Sequence, residues 1–213
     1  MHLNKVLADH VCMAISNATS PYIVGICGWA DTGKSTLAKN LSSAINEAGL
    51  RSEWISTDAF MKNREERNLL GVTGYDLSAI DAEQLANSIA CFSAGVSFEY
   101  HPYDNKTGTK QVESTTIFPG QVLVVEGIHA FHSSVERALS LKIYLDADEQ
   151  TLRDMRQSAN IHKRGMSRNA ATSKIQMEWD AFCSLVLPRR SVADMIFKVT
   201  RNYEYTRILK VPT

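Results

Sequence analysis

Residues 28–36 read GWADTGKST, and residues 22–27 just before them read YIVGIC. A short run of large and β-branched apolar residues is the pattern of a strand covered on both faces. From Ser35 onward, STLAKNLSSAINEAG repeats its apolar residues at helical intervals. Between them Gly28, Gly33, Lys34 and Ser35 meet the spacing G-x-x-x-x-G-K-S. Glycines let a backbone close around an anion, successive amide hydrogens point inward, and the helix that follows offers its positive end. Gly28, Trp29, Ala30, Asp31, Thr32, Gly33, Lys34, Ser35 and Thr36 are therefore expected to cradle a nucleoside triphosphate, ATP foremost, with GTP the other candidate. In that pattern Lys34 reaches the β and γ phosphates, Ser35 ligates magnesium, and Thr36 lies near the α phosphate.

Working outward, further strands are expected at Ser52–Ser56, Gln121–Val125, Leu141–Leu145 and Asp194–Val199. Helical patterns separate them at Ser35–Ala48, Ala82–Phe92, Ser133–Leu139, Glu149–His162 and Ala171–Leu187. Strands alternating with helices predict a three-layer α/β/α fold with a parallel five-stranded sheet. Leu3, Val6, Leu7, Val11 and Ala14 add an amphipathic lead-in helix ending near Pro21. Residues 96–118 depart from the alternation, with two β-like runs around NKTG that read as an antiparallel hairpin hung on the sheet.

The chain has 213 residues, enough for one sizeable core, and a single domain over 1–213 is expected. Lys plus Arg and Asp plus Glu both number 23, so no net charge draws the chain to nucleic acid or to an anionic membrane. Cys12, Cys27, Cys91 and Cys183 are scattered, without the paired spacing of a zinc or redox site, and read as buried free thiols. The N-terminal segment is interrupted by polar and charged residues and lacks the apolar stretch of a signal peptide or membrane span. A cytoplasmic protein whose partners are small molecules is expected.

Phosphate loops of this kind serve kinases, GTPases and motors, so other residues must choose. NKTG has Gly108 where a guanine-reading N-K-x-D needs aspartate, which argues against a GTPase. WISTDAF carries Asp58 to the end of a strand and VLVVEGIHAF carries Glu126 to the end of another, the edge where open parallel sheets bind ligands. Asp58 is assigned as the base that takes the proton of an attacking hydroxyl, and Glu126 as magnesium support beside Ser35. In TLRDMRQSANIHKRGMSR, Arg153, Arg156, Asn160 and Arg164 share a helical face, which suits either a solvated basic surface or a lid over about 149–168 that brings guanidinium groups to the phosphates.

The order of GICGWADTGKSTLAKNL, STDAF, GYDLSAIDAEQL, HPYDNKTG, VVEGIHAF, KIYLDADEQTLRDMRQSANIHKRG and ADMIF resembles the uridine kinase family, within the wider group of phosphoribulokinase and bacterial pantothenate kinase. The resemblance covers about residues 22–200. It implies magnesium-dependent transfer of the γ phosphate of ATP or GTP to a hydroxyl of a nucleoside or similar metabolite, and a possible homo-oligomer. By position, Asp58 matches the family's catalytic aspartate and Phe60 its neighbouring aromatic. Tyr75 and Asp76 match the pair that holds ribose hydroxyls, and Tyr103 and Asp104 the pair that opens the base-reading hairpin. The pattern departs at Asn105 and Gly108, where the family has an aromatic and a histidine that read the pyrimidine, and at Met61, where it has a tyrosine. A non-nucleoside acceptor such as pantothenate, glycerate or a sugar, and an ATP-binding sensor without acceptor chemistry, are the competing readings. Trp29 and Asp31 replace small loop residues, and their side chains are expected to point outward, Asp31 toward solvent or a cation.

Overall fold

The computed structural model describes residues 3–16 and 20–208. Helix α1 (Leu3–Ile15) turns Leu7, Ala8 and Val11 inward, as its spacing predicts, and the expected end near Pro21 falls partly outside the described residues. Strand β1 (Tyr22–Gly28) leads into α2 (Lys34–Glu47), and β2 (Ser52–Ser56) into a 3-10 turn, Thr57–Phe60. Two helices follow, α3 (Arg64–Leu69) and α4 (Ala82–Ser93), the first with no buried side chain. Four short strands come next: β3 (Phe98–Tyr100), β4 (Tyr103–Asp104), β5 (Thr109–Lys110) and β6 (Thr115–Ile117). Strands β7 (Val122–Glu126) and β8 (Leu141–Asp146) precede the helices α5 (Glu149–His162) and α6 (Arg168–Ala181). The chain closes with β9 (Met195–Val199) and β10 (Tyr205–Ile208).

The main sheet runs β10-β9-β8-β1-β7-β2. Its first five expected strands are present and parallel, and β10 adds a sixth, antiparallel to β9. YTRI has two adjacent polar residues, both exposed, at its centre, so it lacks the buried apolar run that marks the other strands. Ser133–Leu139 is not the expected helix: only a 3-10 turn forms, at Glu136–Ala138. The expected helix Ala171–Leu187 begins at Arg168, passes into a π turn at Phe182–Val186, and ends as a 3-10 turn through Val192. Pro188 lacks an amide hydrogen, which breaks the α-helical bonding there.

Two apolar cores flank the sheet. On one face Leu7, Val11, Leu37, Leu41 and Ile45 from α1 and α2 pack on Val24, Val124 and Ile143. On the other, Leu85, Ile89 and Phe92 of α4 join Ile55, Val125, Phe131 and Trp29. Each such fully buried aliphatic side chain contributes about 1.5–3 kcal/mol, which fixes the strand ends between which the site lies. The hairpin is two nested antiparallel ladders, β3 with β6 and β4 with β5. Of the cysteines, Cys27 alone is buried, where desolvation pushes its thiol up to about 11, and the other three are half-buried; all four are free, as expected.

Candidate active site

The loop between β1 and α2 turns on two positive backbone angles that glycine adopts without strain: Gly28 (φ +143°) and Gly33 (φ +88°). A side chain on Gly28 would collide with the Leu145 carbonyl of the neighbouring strand. Asp31 takes the same left-handed region, with φ +63°. Lys34 is buried at the start of α2, and its Nζ donates to the Trp29 carbonyl at 2.6 Å, which also accepts from the Thr32 hydroxyl at 2.8 Å. The ammonium thus crosses the mouth of the loop.

Ser35 Oγ donates to Glu126 Oε1 at 2.9 Å. Glu126 ends β7 and pairs in register with Ile26 of β1 and Ser56 of β2. Burial raises its pKa and the nearby Asp58 charge adds to the rise, against the opposing pull of Lys34 and of the Ser56 and Ser35 hydroxyls. Magnesium keeps several waters and takes only one or two protein groups beside phosphate oxygens. A hydroxyl and a carboxylate in contact at the end of the phosphate loop fit that demand, so Ser35 and Glu126 are the residues that would hold the ion. No cluster of three or more His, Cys, Asp or Glu suited to a metal occurs among the described residues.

Asp58 lies two residues past the end of β2, in the 3-10 turn that follows, where Ser56 Oγ accepts its amide at 3.3 Å. Its Oδ2 accepts a hydrogen bond from Asn105 Nδ2 at 3.1 Å. The residue that stands in place of a pyrimidine-reading aromatic therefore touches the assigned base. Arg64 fixes that part of the hairpin by donating to the carbonyls of Asn105 (2.6 Å), Lys106 (3.3 Å) and Thr107 (3.4 Å), while its amide donates to Gly108. Tyr103 accepts from Arg67 Nη2 at 2.8 Å, and Asp104 caps the Lys106 amide, whose bond depresses the carboxyl's pKa. Asp76 Oδ2 accepts the Thr73 amide and hydroxyl. His129 is buried near Asp58 with Nε2 2.8 Å from the Gly74 carbonyl, and desolvation lowers its pKa.

One expectation about side-chain direction is corrected, for Trp29, and for Asp31 the structure selects the cation of its two expected alternatives. Trp29 does not point outward: it is completely buried, stacked on Phe182 with centroids 5.2 Å apart and meeting Trp179 edge-on at 5.0 Å. Its Nε1 donates to the Tyr75 hydroxyl at 2.6 Å, so Tyr75 serves as a buried strut and Asp76 beside it is the half-exposed member of the pair. Phe60 is buried in the core against Tyr100. Asp31 turns to cations and away from solvent: Arg156 Nη1 donates to it at 2.6 Å and Arg164 at 3.1 and 3.2 Å. Desolvation pushes the Asp31 carboxyl upward, but the Arg156 charge and the bonds from both arginines outweigh it and lower the pKa. Arg156 is itself forked onto Glu178 at 2.8 Å by two nitrogens.

Arg153 departs from its neighbours on α5, pairing with Glu149 and lying 4.3 Å over the Trp179 ring. Arg156, Asn160 and Arg164 do converge, since Asn160 Oδ1 accepts from Arg164 at 3.1 Å, and the buried Asn160 Nδ2 has no partner. The anion the two arginines share is Asp31. Glu178, and the bond of Asn105 to Asp58, escape the sequence reading because the partners stand 22 and 47 positions apart. The acidic residue placed in a phosphate loop was the available signal, for it requires a cation nearby.

The profile of the Phosphoribulokinase / Uridine kinase family matches residues 23–205. This chain belongs to that family. Uridine-cytidine kinase A of Dictyostelium discoideum is 26% identical over 186 residues, covering 84% of this chain and 36% of that protein. Uridine kinase of Deinococcus deserti is 23% identical over 181 residues, covering 83% of this chain and 86% of that protein. The chain thus spans little more than a third of the first relative and most of the second. Among solved structures, a putative fructose transport system kinase from Silicibacter sp. TM1040 superposes with a TM-score of 0.77 at 18% identity, over 92% of this chain and 99% of that one. D-glycerate 3-kinase from Cryptococcus neoformans gives 0.72 at 13% identity, over 97% and 98%. These two likenesses establish the P-loop kinase fold of the family member described here. No helix among the described residues is long and apolar enough to cross a membrane.

Proposed function

We propose that this family member is a magnesium-dependent phosphotransferase that moves the γ phosphate of ATP to a hydroxyl of a small metabolite. The observation that carries the reading is the contact of Ser35 with Glu126 beneath the phosphate loop, with Asp58 close enough to raise the Glu126 pKa. Asp58 accepts the acceptor's hydroxyl proton as its oxygen attacks the γ phosphorus, and the bond to the bridging oxygen breaks so that ADP leaves with the electron pair. Lys34 balances charge on the moving phosphoryl group, and Arg156 and Arg164 add positive charge beside the loop from their positions on Asp31. Bound magnesium, held by Ser35 and Glu126, would neutralise phosphate charge. Asp76, Tyr103 and Asp104 flank the acceptor side, while Phe60 and Tyr75 hold it from below.

A nucleoside is the first acceptor to try, because relatives that match more than four fifths of this chain include proteins named uridine-cytidine kinase and uridine kinase, beside a phosphoribulokinase. The Asn105 bond to Asp58 favours a second reading, a polyol or sugar acid without an aromatic base. An amide offers hydrogen bonds to hydroxyls, whereas a pyrimidine needs a stacking face and a matched donor, and loses strongly without them. The test is ADP release with Mg-ATP across a panel of nucleosides, sugars, glycerate and pantothenate, using the unaltered protein and Asp58→Asn. Acceptor-stimulated turnover that disappears in the variant supports the kinase. Nucleotide binding indifferent to every acceptor favours an ATP sensor instead.

A further inference from the structure

The turn between β9 and β10 is built against the phosphate loop. Thr200 accepts the Tyr203 amide on its carbonyl at 2.9 Å, its own amide donates to Glu204, and its hydroxyl accepts the Asn202 and Glu204 amides. Three residues, Arg201 to Tyr203, thus close the hairpin, with Tyr203 in the left-handed region at φ +59°. That position ordinarily takes glycine or asparagine, and a bulky residue is strained there. The Tyr203 ring lies against Gly33: a methyl group on that glycine would stand 3.1 Å from the ring and 2.5 Å from the Tyr205 hydroxyl. Yet Tyr203 remains 43% exposed, so the ring is not spent on core packing.

The sheet order gives direction to a nucleotide lying over the loop. Glu126 and Asp58 follow β7 and β2, on one side of β1, so the γ phosphate points that way. The nucleoside end must leave toward β8, β9 and β10, where the Tyr203 turn lies. The same turn is pinned to α5 by an ion pair of Arg201 with Asp154.

Resting on the phosphate-loop reading above, we infer that Tyr203 is a stacking platform for the nucleobase of the phosphoryl donor. Aromatic stacking uses the π face common to every base, so ATP and GTP are served alike. The test compares Mg-ATP, Mg-GTP and magnesium tripolyphosphate, which has no base, by titration calorimetry. Tyr203→Gly removes the ring and the backbone strain together, and Tyr203→Phe keeps the ring. Expected is an about tenfold loss of ATP and GTP affinity in Tyr203→Gly, with tripolyphosphate within twofold of the unaltered protein and Tyr203→Phe unchanged. Unchanged ATP affinity in Tyr203→Gly, or an equal fall for ATP and tripolyphosphate, would overturn the platform while leaving the phosphate loop standing. Failure of the unaltered protein to bind tripolyphosphate and both nucleotides would overturn the loop reading, and the platform with it.

Discussion

The donor side and the acceptor side of this site are built to different standards. Around the phosphate loop every long side chain is tied: Trp29 to Phe182, Trp179 and Tyr75, Asp31 to Arg156 and Arg164, Arg156 to Glu178. On the acceptor side, β4 and β5 are two residues each, α3 buries nothing, and Leu69, Leu70 and Val112 are exposed. Charge-stabilising groups must keep fixed positions to stabilise a reaction they share with every acceptor. Recognition groups sit on short, loosely packed elements that can change without disturbing the core. The contrast fits the sequence, in which the GKS loop and Asp58 resemble the family pattern while Asn105 and Gly108 depart from it.

The largest effect that sharpens this contrast is at the reacting centre: Asp58→Asn should lower acceptor-stimulated turnover by about a thousandfold, with Mg-ATP affinity kept, as single-turnover and binding measurements would show. Next come the ties of the donor side. Trp29→Ala empties a fully buried stack and should cost about 3–5 kcal/mol in urea unfolding. Arg156→Ala leaves Asp31 and Glu178 facing each other's charge with little water and should cost a similar about 3–5 kcal/mol. Arg153→Ala, which loses one ring contact and a surface pair, should cost only about 1 kcal/mol. Equal losses for Arg153→Ala and Arg156→Ala would break the comparison.

A pH series separates the same two sides. Because the folded Asp31 pKa lies below its unfolded value, its contribution is complete above the ordinary aspartate pKa and is lost as pH falls through the folded value. Stability should therefore drop on acidification below about pH 4, and Asp31→Asn should flatten that part of the curve. The smallest effect belongs to the hairpin. Asn105→Ala should change urea stability by about 0.5 kcal/mol or less, yet move the KM for the acceptor more than the KM for ATP.

How far the sequence carried depended on how local each feature is. The phosphate loop and five parallel strands were legible because each is a continuous run whose residues set their own conformation. Strand β10 was not, since YTRI becomes a strand only by pairing with β9 across a turn. The inward turn of Trp29 also escaped, because loop side chains usually face water and its partners Tyr75 and Phe182 arrive from distant segments. Asp31 announced a need for a cation, but Arg156 lies 125 positions along the chain, and only the fold chooses between Arg153 and Arg156. Asn105 was visible as a departure from the family pattern, whereas its bond to Asp58 requires the hairpin to be docked by Arg64.

The loop of residues 28–36 is the proposed rigid seat for a magnesium-bound triphosphate, on which every other assignment depends. Titration of Mg-ATP into the unaltered protein and into Lys34→Ala tests it most directly. Saturable binding that weakens by about a hundredfold without the ammonium is the predicted result, and no binding at all, or equal affinity in both proteins, would contradict it.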